Sequence, residues 1–463
     1  MRTHARILML LASVALAACG GSQTPAPQGP PTGGAEGTEA PKRQLSAEEK
    51  AIFSSAVKKY KDLAAAAKKA GGWSKADCEA AANAFRAVAD RHPKVAPDSL
   101  FNAGVSYEHC GMTAEAVSAY EAASSRARSV INRDYAPALV NLGRIYWNQG
   151  DKDRAEDHFR RAVAADPKNA DARNALAVAL YEKAKATGQT RAYEEAIGEL
   201  RRALAVDSSN MNAYTTLALI YYEIARDDRT KLDLAGFVCK QAKEISPNHA
   251  PIYNISGLIW LKKKNVTKAL EEFRKAVQYD DSLLDAHMNI GAITLSYRDY
   301  HSAERAFRKV LEKRPNDVEA LIGLGVALRG KRQFDQAEAT FKKVGQLDPK
   351  HPAVPFNLGL LYQDYKDYQE PTLLKAKEYF NEFLSRPNAP PDKVAEAKRR
   401  IKNIDEIIAA NREAAKLQEE AARLQKLQEE QERKAKEAEE ARKKEEKKGP
   451  EPAPPGKAPE NKP

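Results

Sequence analysis

From Ser46 to Ile408 the apolar residues fall three and four apart, the spacing of helices that each bury one face. Period-two runs of Val, Ile and Thr are missing, so strands are not expected. The pattern also renews itself. In residues 136–169, Leu142, Gly143 and Tyr146 stand in a first apolar block. Ala155, Phe159 and Ala162 stand in a second, and Pro167 closes the segment. The same places hold Gly257, Trp260, Ala269, Phe273 and Ala276 in residues 250–283. They hold Ile290, Gly291, Ala303, Phe307 and Pro315 in 284–317, then Leu324, Gly325, Ala337, Phe341 and Pro349 in 318–351. Three consecutive segments of 34 residues with one grammar predict a stack of helical hairpins, each a helix A followed by a helix B. The small residues belong where A and B cross, because only a small side chain lets two backbones approach. The large residue in helix B is expected to fill the gap to the next hairpin. The proline ends helix B before the next helix A begins.

Glycine or alanine at position 8, alanine at 20 and 27, a large residue at 24 and proline at 32 make up the tetratricopeptide pattern. The resemblance implies an all-α chain, a right-handed α-solenoid of about nine helix-turn-helix repeats. Longer variants of the motif are read at 97–135, 170–210, 211–249 and 352–389, with a degenerate opening unit at 46–96. Their irregular insertions are all expected in the A–B turn, on one edge of the solenoid, either as binding features or as tolerated loops. After Pro391 a stripe of Val394, Ala397, Ile401, Ile404 and Ile408 predicts a capping helix over the last repeat. From Asn411 to Lys448 the chain is nearly all Ala, Leu, Gln, Glu, Lys and Arg. Glu and Lys interleaved four apart predict a continuing, exposed helix whose apolar seam (Leu417, Leu424, Leu427) is thin for a coiled coil. The organisation expected is therefore a leader at 1–18, a lipidated Cys19 with a Pro/Gly-rich tether to 45, the solenoid over 46–390, the capping and charged helix over 391–448, and a Pro-rich tail over 449–463.

The leader reading rests on Arg2 and Arg6 ahead of an apolar run, Ile7 to Ala18, too short to span a bilayer. The run ends in Leu16-Ala17-Ala18-Cys19, which resembles the lipobox of bacterial lipoproteins. That resemblance implies acylation at Cys19. With Gly20 rather than Asp after it, the anchor is expected in the outer membrane, facing the periplasm.

Composition adds exclusions. Net charge is +11, but acidic residues are interspersed with basic ones almost everywhere, so no concentrated basic face points to nucleic acid. The segment from Gly325 to Lys331 resembles the start of a phosphate loop, yet Arg332 stands where a Ser or Thr should hold magnesium and no strand precedes it. The eight His are scattered, and no nucleophile signature appears. No enzyme activity, cofactor, metal or small-molecule substrate is expected. Cys239 takes the buried position 24 of its repeat, as a small hydrophobe. Cys78 opens a helix B and Cys110 closes the next helix A. Those two ends adjoin in antiparallel packing, so a disulfide is expected in an oxidising compartment.

The family resemblance implies a partner groove lined by helix A. Position 5 reads Phe101, Val140, Asn174, Thr215, Asn254, Met288, Ile322 and Phe356; position 9 reads Val105, Arg144, Val178, Leu219, Leu258, Ala292, Val326 and Leu360. Tyr181, Tyr222 and Lys262 add amphipathic points. Such a lining suits an extended or helical apolar segment. The alternatives are that these residues pack inside the solenoid or that the C-terminal helix fills the groove. The layout as a whole resembles the tetratricopeptide lipoproteins of myxobacterial envelope machines, in particular those of adventurous gliding motility. It implies a scaffold whose partners are other envelope proteins. A pilotin-like or outer-membrane biogenesis factor and an activator of a cell-wall enzyme are the competing readings.

Overall fold

The computed structural model describes residues 45–226, 228–365, 368–446 and 449. Among them are nineteen α-helices, one 3-10 turn at Pro93–Val95 and no strand. The leader, the lipobox with Cys19, the tether and the tail lie outside the described residues. The first eighteen helices form nine hairpins, which we number in chain order: α1 (Ala47–Ala70) with α2 (Lys75–Arg91), α3 (Ala96–Glu108) with α4 (Thr113–Ile131), and α5 (Ala136–Asn148) with α6 (Lys152–Ala165). Next come α7 (Ala170–Thr187) with α8 (Thr190–Val206), α9 (Met211–Ile224) with α10 (Arg229–Ile245), and α11 (Ala250–Lys262) with α12 (Val266–Tyr279). Then follow α13 (Leu284–Ser296) with α14 (Tyr300–Lys313), α15 (Val318–Gly330) with α16 (Phe334–Leu347), and α17 (Ala353–Tyr365) with α18 (Glu370–Leu384). The last helix, α19, runs over Pro391–Glu446. The chain divides into two compact units, one up to Val310 and one from Leu311 on.

Local chemistry sets the helix ends. Ser46 and Ser74 each accept a bond from the backbone N–H three residues on, while Glu49 and Asp77 reach back to the cap N–H. Asp151, Asn169, Asn210, Asn265 and Asp317 cap other helices with a side-chain oxygen. The A–B turn requires a left-handed residue. Gly150 supplies it at φ 85°, but Lys264, Arg298 and Arg332 adopt it at 62°, 61° and 62° despite carrying a Cβ. The extra residues of 170–210 are absorbed as helix: α7 has 18 residues and α8 has 17, joined through left-handed Gly188.

One contact recurs at the A–B crossing. A Cβ added to Gly104, Gly143, Gly257, Gly291, Gly325 or Gly359 would lie 2.4–2.8 Å from the ring of Tyr120, Phe159, Phe273, Phe307, Phe341 or Phe380, respectively. The aromatic of position 24 therefore rests on the bare backbone of its own helix A, and it also reaches the next hairpin, as Phe273 does in its cluster with Ile293 and Tyr120 in accepting from Asn141. Phe159, Phe273, Phe341 and Phe380 are fully buried. Burial of such a ring stabilises by roughly 1.5–3 kcal/mol. Two hairpins differ: there position 8 is Ala177 or Ala218, and position 24 is Leu200 or Cys239, all four buried in one core cluster. A methyl gained on helix A is matched by a smaller group on helix B, consistent with the near-crystalline density of protein interiors.

In the second unit the start of α19 packs Ala397, Ile404 and Ile408 against Phe356, Phe380 and Phe383. A polar margin surrounds that contact. Arg400 pairs with Asp364 at 2.8 Å, Lys377 with Asp405 at 2.6 Å, and Gln363 donates to Asn403 at 3.0 Å. Beyond Ile408 the helix changes character: every described side chain from Ala409 to Lys444 is exposed. Arg412 makes one last ion pair back to Glu370.

Candidate interaction surfaces

Most of the helix A positions that the family resemblance assigned to a groove are buried. Of the residues assigned to it, Phe101, Val105, Val140, Asn174, Val178, Tyr181, Thr215, Leu219, Asn254, Leu258, Phe356 and Leu360 are buried. The physical reason is visible in the amides. Thr216 donates to Asn174 at 3.2 Å, and Asn289 donates to Asn254 at 2.9 Å. Each bond joins one helix A to a later helix A, so these positions hold the seam between hairpins. A buried amide with a partner fixes register there, since leaving it unpaired would cost about 1–3 kcal/mol. Arg144, Tyr222, Met288, Ala292, Ile322 and Val326 keep partial exposure. Tyr222 is itself covered by Lys262, whose ammonium lies 4.9 Å from the ring centre and donates to the Tyr222 carbonyl at 3.0 Å. Arg144 stands near a buried network in which Tyr120 donates to Glu108 and Asn141 donates to Tyr120 at 2.9 Å. Burial pushes the Glu108 carboxyl up, opposed by the Tyr120 hydroxyl and the Arg144 charge. It also pushes the Tyr120 phenol well above its ordinary value.

The cysteines fall into two environments. Cys78, in the first turn of α2, and Cys110, just past α3, form a disulfide with Cα atoms 6.3 Å apart. Beside it lies an aromatic cluster that the sequence did not point out. Trp73 stacks on His109 at 4.9 Å with planes 7° apart, and the Tyr60 hydroxyl meets the His109 ring nitrogen. Burial pushes the Tyr60 phenol up to about 12 and lowers His109. Cys239 is buried and unpaired, its thiol pushed up to about 12 by desolvation.

The segment resembling a phosphate loop is continuous helix, with Gly325 underneath Phe341 and Arg332 in the A–B turn. Among the described residues, no group of three or more His, Cys, Asp or Glu is placed to hold a metal. No described helix is long and apolar enough to cross a membrane.

Large apolar side chains are exposed on B helices, in A–B turns and on the far part of α19. Leu234, Phe237 and Ile245 are exposed along α10, and Leu417, Leu424 and Leu427 along α19.

Comparison with known proteins gives the same repeat. Tetratricopeptide repeat models match residues 95–168, 140–210 and 294–355. Among solved structures, the chain is similar to PilF of Pseudomonas aeruginosa, with 21% identity and a TM-score of 0.40 over 47% of this chain and 94% of that one. It is similar to a thermophilic TPR protein of Thermus thermophilus, with 22% identity and a TM-score of 0.37 over 42% of this chain and 100% of that one. The human IFIT1 dimer with PPP-AAAA gives 17% identity and a TM-score of 0.46 over 73% and 80% of the two chains. No curated protein matches the sequence. The described chain is an all-α solenoid built from tetratricopeptide repeats.

Proposed function

We propose that this protein is a lipid-anchored envelope scaffold that holds a multiprotein complex together. In this reading Cys19 carries the lipid, residues 20–45 are the tether, and the solenoid faces the periplasm from the outer membrane. Its partners are other envelope proteins, in a machine of the gliding-motility kind that the layout resembles. The observation that carries the reading is the far part of α19. From Ala409 to Lys444 it contributes nothing to the core, yet it is built as a continuous helix stabilised by pairs such as Lys434–Glu430 at 2.9 Å and Lys443–Glu439 at 2.6 Å. A helix with no role in its own fold is a surface for others. The disulfide supports export, because such bonds persist in oxidising compartments. The tetratricopeptide fold, whose usual work is binding protein, supports a role without catalysis.

Two measurements test the proposal. Cys19→Ala should release the protein from the membrane fraction into the soluble periplasm; retention in the membrane would refute the anchor. Deleting residues 411–463 should leave the solenoid folded while the partners captured by the full chain are lost. Undiminished recovery of the same complex would remove the scaffold role of the arm.

A further inference from the structure

The charges that are interspersed along most of the chain separate on α1. Between Lys50 and Ala70 stand six lysines and one carboxylate, Asp62. At about 100° per residue, Lys50, Lys58, Lys61, Lys68 and Lys69 share a sector of the helix about 100° wide, and Asp62 falls just outside it. The other places in that sector are Ala47, Ala51, Ser54 and Ala65, so it holds no carboxylate. Phe53, Ala56, Val57, Tyr60 and Ala67 are buried in a separate sector. All five lysines are exposed, and none makes an ion pair or a hydrogen bond with another described residue.

Nothing inside the opening hairpin answers this charge. On α2, Asp77 closes its own helix cap, Glu79 is engaged by Lys75 at 3.8 Å, and Asp90 pairs with none of the five. Glu48 and Glu49 lie outside the sector, and Glu49 belongs to the capping box. The helix dipole favours Lys68 and Lys69 in the last turn, but not Lys58 or Lys61, and Lys50 lies near the positive end. Exposed helices commonly screen a lysine with a carboxylate three or four residues away. Helix α19 does so, with Lys402 by Glu406 at 3.7 Å and Lys434 by Glu430 at 2.9 Å. On α1, Lys50, Lys61, Lys68 and Lys69 have no carboxylate at those distances, and Lys58 alone has Asp62. A row of like charge without screening disfavours its own helix, and an anion outside the chain relieves it.

We infer that this row of lysines lies against the anionic phospholipid headgroups of the membrane that carries the protein. The inference rests on the lipid-anchor reading given above. Two observations favour a lipid surface as the occupant. Helix α1 starts fewer than thirty residues after Cys19, so of all the helices it is the nearest along the chain to the acyl group. The row also runs for roughly 28 Å along a convex surface, with no large apolar or aromatic side chain in its sector. That suits a plane of phosphates, and it offers neither a pocket for a single anion nor a ring for a base to stack on. The contact is then electrostatic, without insertion into the bilayer. Alone it holds weakly and reversibly, so Cys19→Ala is still expected in the soluble fraction; added to the acyl anchor it turns α1 onto the surface.

The experiment floats vesicles at low salt with residues 19–463 carrying Cys19→Ser, so that neither an acyl chain nor the apolar leader contributes. Vesicles of phosphatidylethanolamine and phosphatidylglycerol should carry the protein upward, vesicles of phosphatidylcholine should not, and half-molar salt should release it. Lys50→Glu, Lys58→Glu and Lys61→Glu together should weaken binding about a hundredfold, each lysine at such a surface contributing about fivefold. The melting temperature should not fall. Lys50→Gln, Lys58→Gln and Lys61→Gln should give a smaller loss in the same direction, which keeps the test open if reversal disturbs α1. Reversing Lys416, Lys426 and Lys436 on α19, an equal change in net charge, should leave binding within about twofold. Equal losses from the two sets would mean adsorption by net charge and would overturn the inference. Binding that ignores salt or headgroup charge would do the same. Retention on a DNA duplex as tight as on the vesicles, through the same lysines, would assign the row to another polyanion. The anchor is tested apart, by the fractionation of Cys19→Ala, so absence of vesicle binding overturns the lysine contact whatever that fractionation gives.

Discussion

The six hairpins with glycine at position 8 and the two with alanine there reach one packing by opposite routes. In the first class, a helix A without a side chain takes a whole aromatic ring, as Gly257 takes Phe273. In the second, Ala177 and Ala218 face the same crossing and helix B answers with Leu200 and Cys239. What is shared between the classes is filled volume rather than residue type. Cys239 is then explained as the smaller half of a pair, with no need of thiol chemistry.

That comparison can be broken most forcefully at its larger partner. Phe273→Ala should destabilise the first unit by about 3–5 kcal/mol, since a ring-sized void cannot collapse in a dense core. Cys239→Ala, at the equivalent place in the other class, should cost only about 1 kcal/mol. Equal losses in denaturant melts would show that the classes do not differ in the volume they fill.

The opening hairpin lacks the glycine of the first class, since α1 contains none, and it is stapled to the next hairpin by a disulfide. Reducing Cys78–Cys110 should cost about 2–4 kcal/mol, read as earlier unfolding of the N-terminal helices. Mass spectrometry of unreduced protein should find that linked pair, with Cys239 free.

Adding a methyl tests the crossing from the other side. Gly257→Ala should cost about 1–3 kcal/mol through overpacking. Combined with Phe273→Leu it should cost less than the sum of the two singles, which recreates the Ala177–Leu200 pair. Strict additivity would mean that the two residues are not coupled.

A smaller effect of opposite sign is expected in the turns. Lys264→Gly should stabilise by about 1 kcal/mol, because the left-handed conformation at φ 62° strains a residue with a Cβ. Gly150 already has that advantage at φ 85°, so Gly150→Lys should give the reverse change. The smallest change is expected from removing residues 411–463, which should leave the melting temperature of the solenoid where it was.

The fold was legible in the sequence because its crossings are intolerant. Only Gly or Ala fits where two helix backbones meet, and only a proline-like stop ends helix B cleanly, so these residues recur visibly. The disulfide could be anticipated because Cys78 and Cys110 mark helix ends that antiparallel packing brings together. The groove could not. Whether positions 5 and 9 face solvent depends on how tightly consecutive A helices close on one another, a rotation that no single residue encodes. Asn174 and Asn254, placed in the groove lining from the sequence, make bonds between A helices in the fold. The Trp73–His109–Tyr60 cluster stayed hidden because its members come from two hairpins and share no motif.

Helix α19 carries one further consequence. Its first turns are clamped by buried Ile404 and Ile408, and Arg412 still pairs with Glu370, while the residues from Glu413 to Lys444 have only their own backbone bonds and neighbouring side chains to hold them. One unbroken helix should therefore have two hydrogen-exchange lifetimes. Amides up to Ile408 should open only with the second unit, whereas those beyond Arg412 should exchange through local fraying, on the fast timescale of an isolated helix. Occupancy by a partner would appear as the slow regime spreading outward along the arm, so the position of that boundary reports binding without any label at the contact itself.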